Sequence, residues 1–347
     1  MKKVLMQKIH ENILKWYDQN GRKSLPWRIL HDEWKKYAKA DDLEKLKNID
    51  IAYAVYVSEI MLQQTQVKSV LQNYYFQFLA KFPSLKALSM ASEDEVLKAW
   101  QGLGYYTRAR NMHKCAKICV QKFNAKLPFD IKELQKLPGI GEYTAGAIAC
   151  FGFLQAKSFV DANIKRVLSR FYSLQNPNSK LLTQKAREFL NYDNAFDHNQ
   201  ALLDIGALIC LPKNAKCKLC PLESFCSGKN EYEKFNLTKK IQYENTILKI
   251  LIVQKNEQFL LIKSQEKLYF NLYNFLEYKN QKKAKFIGEF KHSYTKYKIN
   301  AKVYFLKDDD FEDLKAKAFA YKELEYITLS KLALKAFELF KKSDYAF

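Results

Sequence analysis

One stretch, Leu137 to Tyr172 (LPGIGEYTAGAIACFGFLQAKSFVDANIKRVLSRFY), restricts the fold more than any other part of the chain. It opens on Pro138-Gly139-Ile140-Gly141, too tight and too glycine-rich for the interior of a helix or strand. A helix-compatible run, Glu142 to Cys150, follows at once. Glycines ahead of a helix leave several backbone N–H groups aimed at one spot, where the helix dipole also favours an anion, so a phosphate is the natural guest. Further on, Asp161 closes the apolar run Ser158-Phe159-Val160 and precedes a second helical pattern, Ile164-Lys165-Arg166-Val167-Leu168. One acid is thereby held near a phosphate-gripping hairpin, an arrangement that can present a carboxylate to the sugar of a nucleic acid.

The charge balance points the same way. The chain of 347 residues is long enough for two cores and carries a formal charge of +21. Residues 1–228 hold 34 Lys and Arg against 21 Asp and Glu, and residues 229–347 hold 24 against 16, so both parts suit a polyanion. The N-terminal residues lack an apolar h-region, and no run of 18 apolar residues exists, so neither export nor a membrane span is expected. Seven cysteines in such a chain imply a reducing compartment and favour metal ligation over disulfides.

In chain order, 4–17 reads as an amphipathic helix, Leu25-Pro26-Trp27-Arg28 as a rigid aromatic turn, and 31–50 as a charged, solvated excursion. Helical patterns recur at 51–62, 67–80, 93–101, 107–122, 130–136, 142–154, 164–173, 180–190 and 198–210, separated by Pro- or Gly-bearing turns. Residues 1–228 are therefore expected to be all-α. A polar linker, 229–243, leads to an α+β domain, 244–347, with strands over 246–253, 259–262 and 302–306 and a closing helix over 329–342.

Two constellations carry chemistry. Glu59 is the lone acid in the otherwise apolar run Ile51 to Leu62; desolvation there raises a carboxyl pKa and leaves a proton to donate near neutral pH. Cys210, Cys217, Cys220 and Cys226 follow C-x6-C-x2-C-x5-C, four soft ligands able to hold either zinc or an iron–sulfur cluster. Cys115, Cys119 and Cys150 lie in apolar runs and read as core fillers.

The hairpin, the downstream aspartate and the four cysteines together resemble the endonuclease III (helix-hairpin-helix) superfamily of DNA glycosylases. Within it the chain is similar to the MutY family of adenine glycosylases, through Leu25 to Arg28, Val57 to Val67 (VSEIMLQQTQV), Gly102 to Asn111 (GLGYYTRARN) and Val160 to Val167 (VDANIKRV). The resemblance implies a six-helix barrel module over roughly 51–151, a cluster module from 1–50 with 152–228, a [4Fe–4S] cluster on the four cysteines, and a MutT-like (Nudix-fold) lesion-recognition domain over 244–347. It implies a monomeric, cytoplasmic, nucleoid-associated enzyme that hydrolyses the N-glycosidic bond of adenine opposite 8-oxoguanine or guanine in double-stranded DNA. Glu59 is then the general acid, Asp161 the carboxylate that stabilises or captures the oxocarbenium-like sugar, and Tyr143 and Asn163 their helpers. Trp27, Arg28, Leu62 and Gln200 line the adenine pocket. Gln64, Thr65, Tyr105, Gly139, Gly141 and Lys165 meet the DNA or the lesion. The family's lesion loop, H-x-F-S-H, aligns with His292-Ser293-Tyr294-Thr295-Lys296, which assigns Tyr294, Thr295 and Lys296 to the lesion and sets a lysine at the final histidine. Tyr143 stands where bifunctional relatives carry the Schiff-base lysine, which argues against strand cleavage, and residues 244–347 lack the R-E-x-x-E-E helix of a working Nudix hydrolase. The competing expectations are a bifunctional pyrimidine glycosylase and lyase, or a non-catalytic iron–sulfur DNA-binding protein.

Overall fold

The computed structural model describes residues 2–235, 242–266, 269–294 and 296–346. Its contacts divide the chain into two units, Met1–Met90 with Asn111–Thr238, and Ala91–Arg110 with Lys239–Phe347. Among the described residues no helix is long and apolar enough to cross a membrane.

The first unit is helical. Helix α1 (Lys2–Asn20) buries Ile9, Ile13 and Tyr17 and packs along Ala195–Asp204. Helix α2 (Ile51–Leu62) is started by Asp50, whose side chain accepts from the Tyr53 N–H, and it holds no Gly or Pro. Residues 52–61 are all buried, as a helix apolar on every side must be. Helices α3 (Ile131–Gln135) and α4 (Glu142–Ala147) flank the hairpin. Asp130 caps α3 by accepting from the Lys132 and Glu133 N–H groups at 2.8 and 3.0 Å. Gly139 has φ +79°, and a Cβ there would lie 2.9 Å from the Asn111 Cβ, so both conformation and space require glycine.

Later helices of the unit include α5 (Ala162–Phe171), capped by Asp161; α6 (Ser179–Phe189), capped by Asn178; and α7 (Ala195–Asp204), capped by Asn194. The patterns at 142–154 and 198–210 do not persist as single α-helices. Each passes into a π-helical turn, Ile148–Gly152 after α4 and Ile205–Ile209 after α7. The second of these delivers Cys210. The excursion at 31–50 is better anchored than its charges suggest: Trp34 donates to Asp197 at 2.8 Å and its ring lies 4.0 Å from that of Phe196.

The second unit is built on a mixed seven-stranded sheet, β1 (Glu244–Lys255), β2 (Gln258–Lys263), β3 (Tyr273–Asn274), β4 (Leu276–Glu277), β5 (Lys285–Tyr294), β6 (Tyr297–Lys307) and β7 (Ala316–Ala320). The path is β3-β2-β1-β6-β5, with β4 on β1 and β7 on β2. Among the described strand pairs, β1 and β6 run parallel and the others antiparallel. Helix α8 (Lys331–Lys341) packs Ala333, Ala336, Phe337 and Phe340 onto Ile250, Ile252, Val303 and Phe305. Leu251, Val253, Leu260, Leu276 and Leu306 form a smaller cluster on the opposite face. Residues 91–110, read from sequence as part of the helical domain, group with this unit. Glu93 accepts from Asn271 at 2.8 Å, Asp94 pairs with Lys263 at 2.9 Å, and Lys98 donates to the Ile327 carbonyl at 3.0 Å.

Candidate active site

A cleft of about 820 Å³ in the helical unit gathers residues from distant parts of the sequence. The short 3₁₀ turn Pro26–Arg28 supplies Trp27 and Arg28. The end of α2 supplies Glu59 and Leu62, and the segment after it Gln64 and Thr65. The hairpin adds Gly139, Gly141 and Tyr143; the start of α5 adds Asp161, Asn163 and Lys165; and α7 adds Gln200. The catalytic, pocket and hairpin residues read from the sequence therefore share one cleft. Tyr105, Tyr294 and Lys296 belong to the other unit.

The two carboxyls at its heart differ in their surroundings. Glu59 is 5 % exposed, and burial pushes its carboxyl up to about 7. The Tyr143 hydroxyl, which donates to Oε2 at 2.6 Å, opposes that shift; the nearby Asp161 charge adds to it, and Arg28 pulls back. Burial also moves Asp161 upward. Against it stand the Ile164 N–H, donating to Oδ1 at 2.6 Å, and the Asn163 amide, donating to Oδ2 at 3.0 Å. These donors favour the charged form. Glu59 has one donor and a proton to spare, whereas Asp161 is a helix cap ringed by donors.

Asp204 is a residue the sequence reading missed. It is fully buried, and Arg28 holds it through Nη1–Oδ2 at 2.8 Å and Nη2–Oδ1 at 2.9 Å. Arg22 adds its backbone N–H and its Nε, both at 2.8 Å. Burial raises the Asp204 carboxyl, but Arg28 and Arg22 more than offset it and the net shift is downward. The Arg28 guanidinium is thus largely committed to Asp204. The signal was present: a single acid in Ala201-Leu202-Leu203-Asp204-Ile205-Gly206-Ala207, the same pattern that marks Glu59.

A hydrogen-bonded path leads from this cleft toward the cysteines. The Arg166 guanidinium donates to Asn163 Oδ1 at 2.9 Å and to the carbonyls of Cys210 at 2.6 Å and Gly206 at 2.5 Å. Close approach makes the path: a Cβ on Gly206 would sit 2.5 Å from the Asn163 Cβ. Cys210, Cys217, Cys220 and Cys226 all line one further cavity, with Arg170 donating to Cys210 Sγ at 3.2 Å. Among the described residues no three acidic, histidine or cysteine side chains converge as they would on a single ion. Cys115, Cys119 and Cys150 are buried core residues.

In the second unit, Tyr105 is 43 % exposed at φ +48°, and Arg108 lies 5.6 Å from its ring. Tyr294 ends β5 and pairs with Tyr297, the first residue of β6. Its ring is 5.4 Å from that of Tyr269, whose hydroxyl meets His292 Nε2 at 2.9 Å. Tyr269 was not singled out from the sequence. Lys296 is exposed and pairs with Glu244 at 2.5 Å. Thr295 lies outside the described residues.

Residues 57–191 match the HhH-GPD superfamily of base excision DNA repair proteins, the class that hairpin, helical unit and acidic cleft define. A thermostable thymine-DNA glycosylase of known structure shares the fold, with a TM-score of 0.56 at 24 % identity over 66 % of this chain and 99 % of that one. An adenine DNA glycosylase of Buchnera aphidicola subsp. Baizongia pistaciae (strain Bp) is 40 % identical over 305 residues, 82 % of this chain and 81 % of the relative. The human adenine DNA glycosylase is 41 % identical over 233 residues, 65 % of this chain and 40 % of the human protein. The chain belongs to the adenine DNA glycosylase family.

Proposed function

We propose that this protein is a monofunctional glycosylase that removes adenine opposite 8-oxoguanine or guanine from duplex DNA. The observation that carries the reading is Glu59: a carboxyl with a pKa raised to about 7, bonded to Tyr143, in one cleft with Asp161. Adenine leaves readily only once a ring nitrogen is protonated, and the base must be out of the stack to be reached. Glu59 gives its proton to that nitrogen, the C1′–N bond breaks with its electron pair going to the base, and the sugar is left as an oxocarbenium ion. Asp161 stabilises that cation or bonds to it transiently, water supplies the new C1′–O bond, and the water's proton returns to the carboxylates. Paired carboxyls with opposed protonation states are the logic of glycoside hydrolysis. Trp27, Leu62 and Gln200 form the pocket for the flipped base, with Arg28 and Asp204 as its rigid floor. Gly139, Gly141 and Lys165 grip phosphates, while Gln64, Thr65 and Tyr105 fill the space beside the lesion. Tyr143 has no amine, so no imine forms and the strand is not cut.

The four cysteines suit a [4Fe–4S] cluster, since they wall a cavity and a guanidinium faces one sulfur. When bound, the cluster supplies a fixed charge and a structural clamp; the reaction itself is assigned to the cleft. The C-terminal unit is read as a MutT-like domain that inspects the oxidised guanine through Tyr294, Thr295 and Lys296, without hydrolase activity. The protein is proposed to act as a monomer on chromosomal DNA in the cytoplasm.

A labelled duplex with adenine opposite 8-oxoguanine tests the reading. Breaks that appear only after alkali support it. Breaks without alkali favour a bifunctional lyase, and none favours a non-catalytic DNA-binding protein.

A further inference from the structure

The basic excess of the C-terminal unit is not spread evenly. Between Tyr243 and Lys307 there are 13 Lys against five Glu and no Asp, whereas residues 308–347 carry seven Lys against nine acids. The excess therefore lies on the segment that includes β1 to β6. The two sheet faces also differ. Helix α8 covers one; on the other, Tyr278 and Ala284 of the irregular segment joining β4 to β5, 278–284, pack on the Leu251–Leu306 cluster.

That second face carries aromatic rings among lysines. Tyr278 stacks on Tyr304 with centroids 3.8 Å apart and planes 7° from parallel. Phe286, 55 % exposed, meets Tyr304 edge-on at 5.5 Å. Strand register sets Lys249 beside Lys302 and Leu251 beside Tyr304, with Phe286 opposite Tyr304. The Lys249 ammonium lies 6.0 Å from the Tyr278 ring. Lys279, Lys282, Lys283 and Lys285, all exposed, lie between Tyr278 and Phe286 with no acid among them. Glu289, opposite Lys302, is the acid on the face, and the run Asp308-Asp309-Asp310 bounds it beyond Leu306.

Exposed aromatic area with flanking lysines selects a ligand that has both a repeating negative charge and flat, unstacked rings. A duplex hides its rings in the base stack; a single strand offers them. We propose that this face of the sheet is a binding platform for single-stranded DNA, in which bases stack on Phe286 and the edge of the Tyr278–Tyr304 pair while Lys249, Lys282, Lys283 and Lys302 hold phosphates. The proposal draws on no residue of the cleft around Glu59, so it stands or falls apart from the glycosylase reading.

The full-length protein with its metal is titrated into fluorescein-labelled oligothymidylate and followed by anisotropy, with a saturating unlabelled lesion duplex present to occupy the cleft. The expected result is binding that persists under the duplex and weakens about fivefold or more in Phe286→Ala, as loss of one stacking contact requires. Lys282→Glu with Lys283→Glu should weaken it further and flatten its salt dependence. Phe286 and both lysines are exposed, so these variants keep the fold, which unchanged adenine excision confirms. Displacement of the strand by the duplex, wild-type binding by Phe286→Ala, or binding of oligouridylate but not oligothymidylate overturns the proposal.

Discussion

Among single residues, the proposed chemistry turns on where protons sit. Below pH 4.5 both the folded and the unfolded chain hold the Glu59 proton; between 4.5 and about 7 the unfolded chain releases it and the folded chain keeps it. Glu59 thus favours the fold at low pH, and that contribution is lost as pH rises toward 7. Glu59→Gln, neutral at every pH, is expected to match the wild type near pH 4.5 and to exceed it by up to ~3 kcal/mol at pH 8, measured by urea unfolding across that range. The same variant should bind lesion duplex and excise nothing. A second prediction concerns the turn proposed to read the lesion: Lys296→His, which breaks the pair with Glu244, should raise the ratio of excision opposite 8-oxoguanine to excision opposite guanine. An unchanged ratio would mean that this turn does not read the lesion. Glu59 and the four cysteines were legible because each stands out against its own neighbours in the sequence. Asp204 was equally conspicuous, but its partners Arg22 and Arg28 lie over 170 positions away, and no local pattern joins them.

Among elements, most helices were legible because their apolar spacing and caps are local, although the 67–80 run divides at Tyr74 and Leu85–Met90 was not foreseen. The π-helical turns were not, since an extra residue per turn leaves no mark in an apolar run such as Ile205 to Ile209. That turn matters: Gly206 lets α7 approach α5 closely enough for Arg166 to reach Asn163 and the Cys210 carbonyl together. Gly206→Ala would force the Asn163 backbone aside at a cost of about 1–3 kcal/mol. Its expected signature is a lower urea midpoint, together with a slower single-turnover excision step at saturating enzyme. A normal rate in a destabilised protein would separate the turn from Asp161. The sheet was less legible than the helices. Strands β3 and β4 are two residues each, and β5 is broken by a register shift between Phe286 and Gly288, which destroys the alternation a strand shows in sequence. The contacts of Glu93, Asp94 and Lys98 that draw residues 91–110 to the C-terminal unit span more than 160 positions and could not be read from spacing.

For the whole molecule, the proposed function asks the basic charge to hold DNA and the cleft to do acid chemistry on it. The path Asp161–Asn163–Arg166–Cys210 ties the cavity to the carboxylate proposed to meet the sugar, so damage to the cysteines should reach the cleft. Cys220→Ala is expected to lower bound iron, thermal midpoint and excision together, with all three read on one preparation; full excision in an iron-free protein would break that link. In the proposed mechanism a buried glutamic acid keeps its proton near neutrality and delivers it. The pH profile of kcat/KM on an adenine:8-oxoguanine duplex, which reports the free enzyme, tests this most directly. The expected profile falls on the alkaline side with a midpoint near 7, moved upward in Tyr143→Phe, where the opposing hydrogen bond is gone. A profile level to pH 9, or the same midpoint in both proteins, would contradict it.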